Sequence, residues 1–130
     1  GLNSREWIYV EDNCRALELL ATKGKIGQNY NIGTNNNLTN IKLTKLIIKK
    51  VKERILNVGK KSKIVYVKDR PGHDFRYAIN SKKIQKELKW KPLTNLNKGI
   101  SKTVAWYVDN LEYFKTISKK KHLIRLGTKI

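Results

Sequence analysis

Val67-Lys68-Asp69-Arg70-Pro71-Gly72-His73-Asp74-Phe75-Arg76-Tyr77-Ala78-Ile79 is the stretch from which the rest of this chain is read. It continues Ile64-Val65-Tyr66-Val67, a β-branched and aromatic run that predicts a short buried strand. Pro71 has no N–H and drives Arg70 out of helical space, so the strand is expected to break there into a loop. Gly72 lets the backbone turn or approach a ligand closely. Such a loop projects Arg70, His73 and Arg76 as hydrogen-bond donors, the groups that a phosphate-bearing ligand needs. Charges at this density also make ordinary solvated turns with surface ion pairs. Local physics leaves both readings open.

The 130 residues are one domain's worth of chain or part of a larger one, and 39% apolar residues support a modest core. Lys and Arg outnumber Asp and Glu by 29 to 10, a formal charge of +19. That charge invites a nucleic-acid or anionic-membrane role. The basic residues are mostly Lys, however, spread along the whole chain beside 13 Asn. That pattern is expected of a nucleotide-composition bias, and nucleic acid is not the expected partner. The sequence holds no continuous apolar run long enough for a transmembrane helix and no visible signal peptide, so a cytoplasmic location without membrane contact is expected. Cys14 stands alone, which excludes an internal disulfide and fits a reducing compartment. It falls on a predicted apolar helix face and is expected to be a buried small hydrophobe. The lack of Met and the start Gly1-Leu2-Asn3-Ser4 predict a chain joined in mid-course.

Arg5 to Val10 reads as a short strand. Asp12 is a candidate N-cap for a helix over 12–23, with Cys14, Leu17, Leu20 and Ala21 as its apolar stripe and Gly24 at its end. Tyr30-Asn31-Ile32 predicts another strand, and the Asn-rich stretch from Thr34 to Thr39 a loop. Thr39 or Asn40 caps a second helix, whose stripe is Ile41, Leu43, Leu46, Ile47, Val51 and Ile55. Asn57-Val58-Gly59 ends it, and Lys60 to Lys63 form a basic, solvated loop. Ser81 caps a short helix carrying Ile84 and Leu88; Trp90 anchors its end and Pro92 stops it. Asn95 or Asn97 starts the last helix, with Ile100, Val104, Tyr107, Val108 and Leu111 on one face to about Phe114 and Gly99 weakening its first turn. Residues 115–130 carry six basic and no acidic residues and read as a basic tail, which includes His122. The order is α/β, with few short strands (7–10, 30–32, 64–67) and about four helices around a thin core. The strands are expected to belong to a sheet completed by residues outside this chain.

No Gly-x-Gly-x-x-Gly follows a strand, no Walker loop or Cys/His metal spacing occurs, and no Tyr-x-x-x-Lys pair is present. His73 is open as a general base or as a ligand contact, the second being expected. The chain offers binding groups without a catalytic engine, and no catalytic, cofactor or metal residue is assigned in it.

Several segments together carry a family resemblance: Arg5-Glu6-Trp7-Ile8-Tyr9-Val10-Glu11-Asp12, Tyr30-Asn31-Ile32-Gly33, Asn40, the run Asp69 to Ile79, Leu88-Lys89-Trp90-Lys91-Pro92, and Gly99 to Tyr107. In this order and spacing they resemble the C-terminal part of the dTDP-glucose 4,6-dehydratases, members of the extended short-chain dehydrogenase/reductase superfamily. The first two segments are shared widely across that superfamily; the Asp69 to Ile79 run is much more specific to the 4,6-dehydratases. The resemblance covers about residues 3–114. It implies a nucleotide-sugar-binding C-terminal domain over 1–114, with the basic tail 115–130 unmatched. It places the NAD-binding Rossmann domain and the catalytic residues upstream of Gly1. The implied reaction oxidises the sugar at C4 with NAD, eliminates water across C5–C6 and returns the hydride to C6.

Matching positions imply that Arg5, Asn40, Arg70 and His73 contact the nucleoside diphosphate of dTDP-glucose. Asp69, Asp74 and Arg76 would hold the loop, and Tyr77 is expected as a packed strand residue sooner than a pocket residue. Asn13 stands where the family often has His, Glu6 where Asp is frequent, and Asn35-Asn36-Asn37 departs further. An isolated chain of this kind is expected to lack dehydratase activity and to self-associate or pair with a Rossmann-domain partner. The alternative from another class is a non-catalytic basic module that binds nucleic acid or another polyanion.

Overall fold

A three-residue strand, β1 (Ser4–Glu6), lies between two other stretches of chain in the computed structural model, which describes residues 1–55 and 63–115. On one edge it pairs antiparallel with β2 (Asn37–Thr39), Ser4 opposite Thr39 and Glu6 opposite Asn37. On the other edge the Ser4 N–H donates to the Phe75 carbonyl at 2.8 Å and the Tyr77 N–H donates to the Ser4 carbonyl at 3.0 Å, a parallel bridge centred on Arg76. The Glu6 side chain adds a knot. Its carboxylate accepts the backbone N–H groups of Thr34, Asn35 (2.6 Å) and Ile79 (3.0 Å). Gly33 is buried beneath it, and a Cβ there would lie 2.6 Å from Glu6 Oε1, so only glycine admits the carboxylate.

The helices are α1 (Val10–Lys23), α2 (Asn40–Arg54), α3 (Lys82–Leu88), α4 (Leu96–Asp109) and α5 (Leu111–Lys115). Two apolar clusters form. Ala16 of α1, Ile84 of α3 and Trp90 are buried together, with Ile8, Leu19, Leu20, Tyr30, Ile32 and Leu88 packed around them. Separately, α2 packs on α4 through buried Leu43 and Val104, with Ile47, Val51 and Ile100 alongside. Asn95 caps α4 as expected, its side chain accepting the Lys98 N–H at 2.9 Å. Gly99 has a packing reason: a Cβ there would meet Tyr9 Cβ at 3.1 Å, so α4 lies directly against the chain entering α1.

Several expectations are corrected. Residues 30–32 and 64–67 are not strands, and no ladder partner lies beside them among the described residues. Ile64 to Val67 is not buried either; Val65, Tyr66 and Val67 are more than half exposed. Strand propensity expresses fit to a half-buried pleated surface, and here no such surface receives these side chains. The first strand spans 4–6, not 5–10, because Val10 already starts α1. Asn37 to Thr39 was expected in a loop and forms β2, since β1 supplies its backbone partners. Thr39 does precede α2, but its hydroxyl does not cap the helix. Cys14 and Leu17 face outward. The expected helix end at Asn57-Val58-Gly59, positions 60–62 of the basic loop, the tail after 115 and His122 lie outside the described residues. Among the described residues no helix is long and apolar enough to cross a membrane.

Asp12 explains why α1 turns a different face inward. It is no N-cap; that position is Tyr9. Its side chain is fully buried and accepts the N–H groups of Leu93 at 3.1 Å and Thr94 at 2.9 Å, with Arg15 bonded to the same carboxylate. The Trp90 indole N–H donates to the Asp12 carbonyl at 3.3 Å. Burial pushes the carboxyl up, but the Leu93 amide, Arg15 and the Thr94 amide together bring it below its ordinary value. A carboxylate thus occupies a core position and locks the Trp90–Thr94 turn onto α1. Replacing Asp12 with Ala leaves two backbone donors without their acceptor, and should cost about 2 kcal/mol in urea denaturation. A loss below about 0.5 kcal/mol, the range of ordinary surface substitutions, would show that the knot does not hold the turn.

Candidate functional site

The bridge between β1 and residues 75–77 brings the loop after Pro71 against the start of the chain. Pro71 and Gly72 form the turn, with Gly72 at φ +66°, a backbone conformation that favours glycine. His73 then folds back. Its Nδ1 lies 2.7 Å from Asp69 Oδ1, and its Nε2 lies 2.6 Å from Arg5 Nη2. The same Nη2 donates to the Asp74 carbonyl at 2.8 Å, and Nη1 donates to the Ser4 carbonyl at 2.7 Å. The guanidinium also sits 4.9 Å from the centre of the Tyr77 ring.

Asp69 is the second anchor. Oδ1 accepts the Arg70 N–H at 2.9 Å, and Oδ2 accepts the Asn3 amide at 3.0 Å. The His73 bond, the Asn3 amide and the Arg70 N–H hold its carboxyl down at about 2, although half of the side chain is exposed. Tyr77 is pushed the other way: its bond to the neighbouring Asp74 carboxylate raises the phenol above its ordinary value.

Two of the four expected site residues, Arg5 and His73, are therefore in direct contact. Arg70 is next to them through the Asp69 carboxylate; its guanidinium is exposed and bonds no carboxylate among the described residues. Asn40 opens α2, and its N–H donates to the Asn3 carbonyl at 2.9 Å while the next N–H, of Ile41, donates to the Gly1 carbonyl at 3.0 Å. Those first helix amides are occupied, so any contact from Asn40 comes from its side chain. Asp69 and Asp74 hold the loop as expected, and Arg76 bridges to Ser4 through its backbone. Tyr77 is a correction: it is 55% exposed, lies outside any strand and forms the platform under Arg5.

Asn3 was missed altogether. It is 9% exposed and its amide reaches Asp69, within 3.4 Å of His73 Nδ1 and 3.5 Å of the Asp74 carbonyl. Two-residue alternation along β1 was the available signal, since it puts position 3 on the side of Arg5. An apolar cleft of about 490 Å³, lined by Trp7, Tyr9, Ile100, Trp106 and Tyr107, shares no residue with the Arg5–His73 cluster. Chemically, the cluster offers a pre-positioned guanidinium, a second exposed guanidinium and fixed backbone dipoles, an arrangement suited to phosphate oxygens.

The sequence profile of the family described as GDP-mannose 4,6 dehydratase matches residues 1–103. The dTDP-glucose 4,6-dehydratase of Neisseria meningitidis serogroup B is 40% identical over 134 residues, which cover 98% of this chain and 38% of that protein. The Salmonella typhimurium enzyme of the same name is 44% identical over 118 residues, 90% of this chain and 33% of its own length. Among solved structures, the Bacillus anthracis dTDP-glucose 4,6-dehydratase in complex with NAD superposes with a TM-score of 0.78 at 40% identity, over 91% of this chain and 35% of its own. A double mutant of the Streptomyces venezuelae dTDP-glucose 4,6-dehydratase, solved with NAD and a dTDP-sugar bound, gives 0.80 at 33% identity over 91% and 35%. The chain spans about a third of the length of the curated relatives it matches.

The bonds to Asp69 set a pH range. Its folded value of about 2 lies below the ordinary 3.8, so its contribution is complete above pH 3.8 and is lost as pH falls through 2. A carbon-13 titration of the Asp69 carboxyl should give a midpoint near 2 in the unaltered protein and a higher one in His73→Ala. Equal midpoints in the two would mean that His73 does not hold the carboxylate.

Proposed function

The chain belongs to the GDP-mannose 4,6-dehydratase family, part of the extended short-chain dehydrogenase/reductase fold, and on that premise we propose that it is the nucleotide-sugar-binding C-terminal portion of a dTDP-glucose 4,6-dehydratase. The observation that carries this is the convergence of Arg5 and His73, 2.6 Å apart, beside the exposed guanidinium of Arg70. Arg5 and Arg70 provide charge-assisted bonds to the diphosphate oxygens, His73 fixes Arg5, and the Asn40 side chain adds a directional amide. The role of these four residues is to bind and orient. Energy gained on the nucleotide end holds the sugar in place for the chemistry.

The reaction of the whole enzyme would be the NAD-dependent dehydration of dTDP-glucose to the 4-keto-6-deoxy sugar. NAD supplies hydride acceptance and return in that reaction. The residues described here do not fit NAD: none forms a glycine-rich turn from a strand into a helix, so the cofactor would be held elsewhere in the intact enzyme. Val65, Tyr66, Val67 and Phe75 are each more than 60% exposed, which supports the proposal that another polypeptide surface, from the same enzyme or a second copy, covers this side. The isolated 130-residue chain supplied with NAD should therefore not turn over dTDP-glucose; measurable product would contradict the division of labour proposed here.

In the intact protein, Arg70→Ala should weaken dTDP binding by about tenfold or more in calorimetric titrations, with Arg70→Lys recovering part of the loss. Binding of single-stranded RNA serves as the contrast, because polyanion binding falls steeply with salt and ignores the base. Unchanged dTDP affinity in Arg70→Ala, together with tight, salt-sensitive RNA binding, would instead favour the basic-module alternative.

A further inference from the structure

We propose that Asp69, held by Asn3 and by the Arg70 N–H, is a positioning residue that fixes the tautomer of His73 and thereby aims the Arg5 guanidinium. This rests on the nucleotide-sugar function above, and it names how that site is pre-organised.

The geometry allows one proton arrangement. Arg5 Nη2 carries only donors, so the His73 Nε2 facing it at 2.6 Å must present a lone pair. The ring proton is then on Nδ1, and it points at Asp69 Oδ1 at 2.7 Å. With a proton on Nε2, two donors would face each other across 2.6 Å, and the Asp69 carboxylate would lie beside an unprotonated nitrogen. The carboxylate itself is not free to turn. Oδ1 also accepts the Arg70 N–H at 2.9 Å, and Oδ2 is taken by the Asn3 amide at 3.0 Å. Asn3 is in turn fixed by the backbone, its carbonyl accepting the Asn40 N–H at 2.9 Å. A chain of bonds thus runs from the first residue of α2 through Asn3, Asp69 and His73 to Arg5.

The consequence appears on the guanidinium. Of its five N–H groups, one on Nη1 and both on Nη2 are committed to Ser4, His73 and Asp74. The N–H on Nε and the second on Nη1 have no partner among the described residues. The Tyr77 ring, its centre 4.9 Å from the guanidinium carbon, limits rotation of the guanidinium. An arginine held this way loses little further side-chain entropy when an anion arrives. Without Asp69 the His73 proton is free to move to Nε2, which would break the Arg5 bond and release the guanidinium.

Two measurements on the intact protein test this. Histidine-selective nitrogen-15 labelling, with the His73 signals identified by their loss in His73→Gln, reads the tautomer directly and needs no ligand. The expected result is a protonated Nδ1 and an unprotonated Nε2; a protonated Nε2 overturns the proposal. The second measurement compares the affinity for dTDP with that for thymidine, which lacks the phosphates. Asp69→Ala should shift the His73 proton toward Nε2 and weaken dTDP binding about tenfold while thymidine changes less than twofold. Asp69→Asn keeps an acceptor for Nδ1–H and, with the Asn3 amide turned over, should keep the tautomer and most of the affinity. Loss of dTDP and thymidine binding to the same extent in Asp69→Ala, or an unchanged tautomer with unchanged dTDP affinity, overturns the positioning role. An unaltered protein that binds no dTDP would overturn the proposed function itself, whereas a wrong tautomer in a protein that does bind dTDP overturns only this inference.

Discussion

Three residues, Ser4, Arg5 and Glu6, hold together parts of the chain that lie far apart in sequence. Ser4 pairs with Thr39 on one edge and with residues 75–77 on the other. Glu6 takes backbone N–H groups from Thr34, Asn35 and Ile79. Arg5, between them, is thereby delivered to His73 and Asp74. Breaking the backbone pairing of Ser4 with residues 75–77 would separate the loop after Pro71 from the Arg5 guanidinium. With so short a strand, side-chain bonds to backbone carry much of what a longer ladder would carry through its own hydrogen bonds. The Glu6 carboxylate is the clearest case, and it depends on a neighbour without a Cβ at Gly33.

The cluster is held by neutral and charged groups constraining one another. Arg5 is fixed by carbonyls, a ring nitrogen and an aromatic face, with no carboxylate directly on it among the described residues. A carboxylate in that place would compete with an incoming diphosphate. Asp69 is set one bond further out, where it orients His73 without neutralising the guanidinium. Arg70, from the same loop, remains in solvent as the second positive charge. That division, one arginine pre-positioned and one exposed, is compatible with an anion entering from the open side of the loop.

Much of this was legible in the sequence. Helical periodicity located α2 and α4, Asn95 announced the α4 cap, and Arg70-Pro71-Gly72-His73 announced the turn that Pro71 and Gly72 form. The strands were read poorly for one physical reason. Ile64 to Val67 and Tyr30 to Ile32 have strand-forming side chains, but ladders need partners, and β-propensity is silent about partners. Asn37-Leu38-Thr39 has the reverse character: its composition signals a loop, and β1 beside it makes it a strand. The inward face of α1 was misread because its decisive residue is Asp12, a charged group in a core position that apolar counting passes over. Asn3 escaped notice since its role exists only after the chain has folded back through 66 residues to meet Asp69. Family resemblance supplied the four proposed binding residues, while the bonds that join Arg5 to His73 and Asp69 became visible only in three dimensions.

The central claim is that the Arg5–His73–Arg70 cluster receives a nucleoside diphosphate. A crystal structure of the intact protein with dTDP tests it most directly. Diphosphate oxygens within about 3 Å of the Arg5 and Arg70 guanidinium nitrogens, with His73 still joined to Asp69, are the predicted result. Nucleotide bound away from this loop, for instance in the aromatic cleft between Trp7 and Trp106, with Arg5 still bonded only to Ser4, His73 and Asp74 and Arg70 still in solvent, would contradict it.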